Sequence, residues 1–203
     1  MRKFIALMLL VLHSSIFAEV ILNDGGYHLI NGPINDTYKV DFQTPNMFTH
    51  LEVTTNGTLN HAYMYENSLL TVSGGNPGYV YGYEQSNIYI NSGRFYRLNV
   101  EDDSHVVISG CDYGNSISQY GNSYVTIFGS DFVVGGLTLS QGVYSSLDFP
   151  SEFNLNCVID NVNNSFHVIL RDNSRLYLIP EPASLLLIGF GGIFLIKYVR
   201  KSC

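Results

Sequence analysis

Glu84-Gln85-Ser86-Asn87-Ile88-Tyr89-Ile90 is one of four related stretches that decide how this chain folds. The others are Glu66-Asn67-Ser68-Leu69-Leu70-Thr71-Val72, Asp102-Asp103-Ser104-His105-Val106-Val107-Ile108 and Gly121-Asn122-Ser123-Tyr124-Val125-Thr126-Ile127. Their serines lie 18, 18 and 19 residues apart. A polar turn residue precedes each serine and alternating apolar positions follow it. A glycine closes most copies, at Gly74, Gly93, Gly110 and Gly129. A fifth copy stands apart at Asp172-Asn173-Ser174-Arg175-Leu176-Tyr177-Leu178.

The alternation begins before the serine. Leu98, Val100, Asp102, Ser104, Val106 and Ile108 occupy every second position, which on an extended chain is one face. Shifted by one repeat, Ala62, Val80, Leu98 and Ile117 fall in one column. Leu70, Ile88, Val106 and Val125 fall in another, and Val72, Ile90, Ile108 and Ile127 in a third. One copy cannot bury its apolar face alone, whereas copies stacked about 4.8 Å apart bury a continuous column. The period therefore predicts an all-β fold, a β-solenoid (β-helix) of roughly 18-residue coils with a repeat core at about 56–130. Serines 68, 86, 104 and 123 should form an inward or corner ladder, each hydroxyl bonding its neighbour or a turn backbone. An antiparallel β-sandwich would also show short alternating strands but gives no reason for an 18-residue period. Residues 19–55 and 130–179 are expected to cap the two ends, with strands at 137–139, 158–159 and 167–170.

The flanks read as addresses. Arg2 and Lys3 precede an apolar run, Phe4 to Leu12, and small residues lead to Ala18, the layout of a secretory signal peptide over 1–18. The C-terminus runs Pro180-Glu181-Pro182, then 14 uncharged residues from Ala183 to Ile196, then Lys197-Tyr198-Val199-Arg200-Lys201-Ser202-Cys203. A span usually needs about 20 residues. Lys197 can snorkel and lend its stem, so a transmembrane helix is expected over 183–199. Gly189, Gly191 and Gly192 permit close approach of another helix. Arg200 and Lys201 place the tail in the cytoplasm.

This order, Pro180-Glu181-Pro182, one apolar helix and a basic end, resembles the PEP-CTERM sorting signal. The resemblance covers 180–201, roughly a tenth of the chain. It implies recognition by an exosortase, an integral membrane cysteine peptidase of Gram-negative bacteria, after passage through the export machinery. Pro180, Glu181 and Pro182 would be the recognition motif, and Arg200 and Lys201 the stop signal. Removal of the tail near the motif would release the protein to the cell surface or exopolysaccharide matrix. The repeat is also similar, more loosely, to the β-helical repeats of some proteins carrying this signal. The basic cluster here is modest and Cys203 follows it, a departure from the pattern. A glycosylphosphatidylinositol signal would end apolar, without Arg200 and Lys201.

Composition narrows the function. Apolar residues reach 46% and charged residues only 13%, which excludes a disordered chain. Three cysteines exclude a disulfide-dense scaffold. Between residues 19 and 179 five basic residues face sixteen acidic ones, which argues against nucleic acid or anionic lipid as a partner.

Candidate chemistry is sparse. Glu66, Glu84 and Asp102 share one column, with Asp103 beside it. Stacked carboxylates need compensation. Calcium could supply it, but the EF-hand and nonapeptide spacings are absent, and a solvated turn is the plainer reading. Histidines 28, 50, 61, 105 and 167 show no metal-ligand spacing. No Gly-x-Ser-x-Gly elbow occurs, and the repeat offers mainly Arg94 and Arg97 as cations. No cofactor, metal or catalytic residue is expected. Tyr79, Tyr81 and Tyr83 lie on the face opposite Val80 and Gly82, and Tyr63 and Tyr65 fall 18 residues earlier. These five form a patch for a sugar face or a protein partner, or else a cross-strand ladder that stabilises the sheet. Cys111 and Cys157 could pair in an oxidising compartment or remain buried thiols. The reading favoured is a non-enzymatic, exported matrix or surface protein. A carbohydrate-active enzyme and an uncleaved single-span protein are the alternatives.

Overall fold

The computed structural model describes residues 19–34, 36–42 and 47–181. The expected signal helix over 1–18 and transmembrane helix over 183–199 lie outside these residues. The described chain contains no helix and 17 strands, so none of its elements is a helix long and apolar enough to cross a membrane. The expected β-solenoid is what these strands build.

The chain winds between two parallel sheets. The first contains β1 (Glu19–Leu22), β3 (Thr37–Val40), β5 (His61–Met64), β7 (Tyr79–Gly82), β9 (Arg94–Val100), β11 (Tyr113–Gln119) and β16 (Val162–Leu170). Each pairs with the next. The second contains β2 (Tyr27–Ile30), β4 (His50–Thr54), β6 (Leu69–Ser73), β8 (Asn87–Ser92), β10 (His105–Ile108), β12 (Tyr124–Val134) and β17 (Arg175–Pro180), again paired in that order. About five turns separate β1 from β11.

The register is the one the apolar columns require. Ala62, Val80, Leu98 and Ile117 are successive ladder partners. So are Leu70, Ile88, Val106 and Val125, and Val72, Ile90, Ile108 and Ile127. All twelve side chains are buried. Two columns from each sheet face inward and form one core cluster. Beyond the second sheet, short bridges from Pro33 to Thr58 and from Thr58 to Asn76 add a narrow third side.

Between the sheets each coil turns through four residues. Ser68, Ser86, Ser104, Ser123 and Ser174 donate their backbone N–H to the carbonyls of Tyr65, Tyr83, Glu101, Tyr120 and Arg171. The second corner residue is left-handed in every copy: Glu66 (φ 50°), Glu84 (59°), Asp102 (57°), Gly121 (67°) and Asp172 (56°). The corner serines are fully buried. The inward ladder is present, but its hydrogen bonding is narrower than expected. Ser104 Oγ donates to the carbonyls of Glu101 (2.6 Å) and Gly82 (3.2 Å). Ser174 Oγ accepts the Arg171 N–H. The hydroxyls of Ser68, Ser86 and Ser123 have no partner. Coils one ladder step apart are too distant for hydroxyl-to-hydroxyl bonds, so the position selects for small size first.

Two expectations about the caps need correction. Residues 19–54 belong to the same parallel ladders as the repeat. The C-terminal segment supplies both a cap and a further coil. After Ile127, β12 crosses from the second sheet to the first, with an irregularity between Ser130 and Val133. It then turns through Gly135-Gly136 into β13 (Leu137–Thr138). β14 (Gly142–Ser145) runs antiparallel to β17, and β15 (Glu152–Ile159) antiparallel to β16. A two-residue turn, Asp160-Asn161, joins β15 to β16 with both residues at positive φ, as the twist of a tight hairpin demands. The isolated fifth copy therefore returns to register, Tyr124 opposite Arg175.

Gly114 lies where Phe95 and Phe166 stack with ring centroids 6.1 Å apart. A Cβ there would come within 2.3 Å of one ring and 2.6 Å of the other. Gly114→Ala should therefore cost about 1–3 kcal/mol. Gln119 faces the core between Val100 and Leu170, fully buried with neither amide atom paired. Gln119→Leu removes unpaired polar atoms from that column and should raise stability by about 1 kcal/mol or more. Denaturant midpoints check both, and a destabilised Gln119→Leu protein would show that the amide has a partner.

Candidate functional site

The outer face of the first sheet carries the five tyrosines singled out above, and the structure brings them together. Strand alternation turns Tyr63, Tyr79 and Tyr81 outward, while Tyr65 and Tyr83 open the corner turns. Tyr63 and Tyr81 are ladder partners, their centroids 4.5 Å apart and planes 6° from parallel. Tyr65 and Tyr83 stack at 5.0 Å and 12°. Within one coil, Tyr81 and Tyr83 lie 6.5 Å apart at 2°. Coplanar rings cannot approach to 4.5 Å side by side, so rings in neighbouring coils are face to face. The patch is two rows of rings laid on one another.

Sequence reasoning missed three further members. His61 stacks on Tyr79 at 5.0 Å and 16°, Phe42 meets Tyr65 edge-on at 5.0 Å, and Tyr96 tilts against Tyr79 at 6.3 Å. His61 was findable, since it lies 18 residues before Tyr79, the spacing that linked Tyr63 to Tyr81. Phe42 belongs to a coil of different length and had no such signal.

Cations flank the rings. Lys39, the ladder partner of Tyr63, pairs with Glu19 at 2.9 Å and approaches the Phe42 ring at 5.1 Å. Arg97 and Asn99 follow Tyr79 and Tyr81 on the other side. Burial pushes the phenols of Tyr65, Tyr81 and Tyr83 above the usual tyrosine value, and the Glu101 carboxylate adds to the effect at Tyr83. The hydroxyls stay neutral. The ring faces between the two coils are occupied by one another, so the ledge offers edges and hydroxyls outward.

The acidic column has a compensation that sequence reading did not foresee. Glu84 Oε2 accepts the backbone N–H of Glu66 at 2.8 Å, and Asp102 Oδ2 accepts that of Glu84 at 3.3 Å. Asp172 Oδ2 does the same for Gly121 at 3.2 Å. Each carboxylate caps the left-handed residue of the coil before it. The next position carries a second ladder, Asn173 Nδ2 to Asn122 Oδ1 at 3.3 Å and Asn122 Nδ2 to Asp103 Oδ1 at 3.1 Å. Burial, with Glu84 second, raises Glu66 above the ordinary carboxylate range.

The remaining candidates are dispersed. Among the described residues no three of His, Cys, Asp and Glu are placed to hold a metal ion. Arg94 lies in a shallow groove with Asn76, Phe95, Tyr96 and Tyr113. Cys111 and Cys157 are free, buried thiols, each pushed up by burial to about 12. Pro180 ends β17 opposite Gly129, and Glu181 Oε1 accepts the Asp160 N–H at 2.6 Å. Pro182, Arg200 and Lys201 lie outside the described residues.

If the ledge acts chiefly through stacking, Tyr81→Phe should leave stability unchanged and Tyr81→Ala should lower it by about 1–2 kcal/mol. Equal losses in urea unfolding would assign the effect to the hydroxyl instead. The histidines give a second expectation. Burial holds His61 and His105 below the ordinary value of 6.5. His105 is stacked on Tyr124 at 4.0 Å, with a buried, unpartnered Nε2. A base whose folded value is lowered binds protons more readily when unfolded. Its contribution to stability is complete above about 6.5 and is lost as pH falls through the window below that value. Tm should drop between about pH 7 and pH 5, and His61→Asn/His105→Asn should shrink the drop. An identical drop in the double variant would place the titrating groups elsewhere.

Comparison of the chain with family models, with curated proteins and with solved structures yields no match.

Proposed function

We propose that this chain is an exported surface or exopolysaccharide-matrix protein of a Gram-negative bacterium, structural or adhesive rather than catalytic. In this reading it is sorted through its C-terminal signal by an exosortase-type membrane peptidase. The observation that carries it is the order Pro180-Glu181-Pro182, uncharged run, Arg200-Lys201. The fold lends support at the junction. Pro180 is the last residue of β17 and Glu181 is pinned by one hydrogen bond to the Asp160 turn. The motif thus begins at the last described strand, and a cut after Glu181 leaves every strand among the described residues intact. A solenoid with a strongly acidic sequence is also a stiff, soluble body, the form a matrix component needs.

Intact mass of the protein recovered from outer-membrane and medium fractions tests this. A species ending near Pro180 to Pro182 is expected. A species still ending at Cys203 in the inner membrane would replace the proposal with a permanently anchored protein. A purified chain ending at Glu181 should keep the thermal transition of the longer one, whereas one ending at Arg171 loses β17 and should unfold far earlier.

A further inference from the structure

The second sheet carries a groove that the aromatic ledge does not share. It has a volume of about 570 Å³ and opens between the asparagine ladder and the turn that follows β14. Its floor is Tyr124 and Tyr177, on neighbouring strands, with rings 6.0 Å apart at 68°; His105 already covers one face of Tyr124, so Tyr177 supplies the larger part of the aromatic surface. Asp103 and Asn122 form one wall, each side chain already oriented by the hydrogen bond between them. The opposite wall is the turn Ser145–Asp148. Asp148 Oδ2 accepts the Ser145 N–H at 2.7 Å and its hydroxyl at 2.9 Å. Ser146 Oγ donates to the Asp172 carbonyl at 2.8 Å, which fastens the turn to the corner. Leu147 stands on the rim, 94% exposed. Arg175 is exposed and lines the groove.

We propose that this groove binds a neutral saccharide unit. The lining offers the three things a sugar ring uses: fixed planar acceptors and donors for hydroxyls, a guanidinium, and an aromatic surface for the C–H face. An apolar ligand would strand the polar walls without partners. An anion is disfavoured, because Asp103 and Asp172 outnumber Arg175. A metal ion would need converging carboxylate oxygens, and among the described residues no three of His, Cys, Asp and Glu are placed to hold one. Two walls are built from ladders and turns held by their own hydrogen bonds, so little ordering is required on binding. The inference deepens the adhesive reading above and rests on it for the biological source of the sugar. The binding itself does not depend on sorting.

The test titrates the full chain with neutral oligosaccharides built from glucose, from galactose and from mannose, and with an oligomer of uronic acid as the charged comparison. Backbone amide shifts are followed by NMR. At least one neutral oligosaccharide should shift amides in 121–124, 145–148 and 172–177. Tyr124→Ala and Arg175→Ala should each weaken binding by roughly tenfold or more, with Leu29→Ala, at an exposed position on the far end of the same sheet, as a control that leaves it unchanged. Arg175 is exposed and makes no ion pair among the described residues, so its variant keeps the test valid even if Tyr124→Ala unfolds. No shift with any neutral oligosaccharide, shifts that survive Arg175→Ala, or a preference for the uronic acid oligomer would each overturn the proposal. The mass measurement above stands or falls separately: a cleaved protein that binds no sugar sinks only the groove, and an uncleaved one that binds sugar sinks only the sorting.

Discussion

The corner turns from Tyr65 to Ser174 each pass through one left-handed residue, and the stacking of those corners sets the rest. An L-residue with a side chain enters that region at a cost of about 1–2 kcal/mol. Here Glu66, Glu84, Asp102 and Asp172 do so in register. The corner frees a backbone N–H that points along the stack rather than into a strand ladder. A carboxylate one coil on accepts it, from Glu84 to Glu66 and from Asp102 to Glu84. The bond is local to the corner but holds two coils in step. The acids are therefore caps first, and their mutual repulsion is the lesser effect: even at Glu66 burial raises the carboxyl more than the neighbouring Glu84 charge does.

Corners in register bring strands into register, and this makes the core a set of columns. A column tolerates variation only when neighbours compensate. Gly82 follows Met64 and precedes Val100, and the space of its missing side chain is taken by Ile88 of the facing sheet and the corner serines Ser86 and Ser104. Gly114 is covered by the rings of Phe95 and Phe166. Gln119 is the exception, an unpaired amide in an apolar column, and nothing in the structure explains it. The stack also has ends, where open edges invite pairing with other chains. At the C-terminal end two antiparallel strands, β14 and β15, cover the last parallel ones.

How much of this was readable follows from the corners as well. Four serines at 18, 18 and 19 residues gave the central coils and their inward columns without ambiguity. The earlier coils were hidden because their corners use other residues. Thr49 and Gly26 stand where the later coils have serine, as the backbone bonds from Leu69 to Thr49 and from His50 to Gly26 show. The step from Thr37 to His61 is 24 residues, which breaks the period while leaving the ladder intact. The seventh corner, at Ser174, was legible as a copy but not as a coil, because the excursion through β13, β14 and β15 separates it from Ser123. Period-based reading detects equal loops and misses equal geometry.

The aromatic surfaces divide along the same lines. On the first sheet, equal coil lengths put Tyr63 over Tyr81 and Tyr65 over Tyr83, so each pair covers the two ring faces turned toward one another. Regular repetition therefore favours internal stacking and stiffness. On the second sheet the tyrosines Tyr124 and Tyr177 belong to the coils where the repeat is interrupted. Their rings meet at 68°, and the excursion after β12 returns to raise a wall beside them. A recess needs a departure from the period, and the departure here occurs where the chain leaves the solenoid to build its cap. The five tyrosines that the period revealed are thus the ones most committed to holding the sheet. The pair best placed to meet a ligand lies where the period fails.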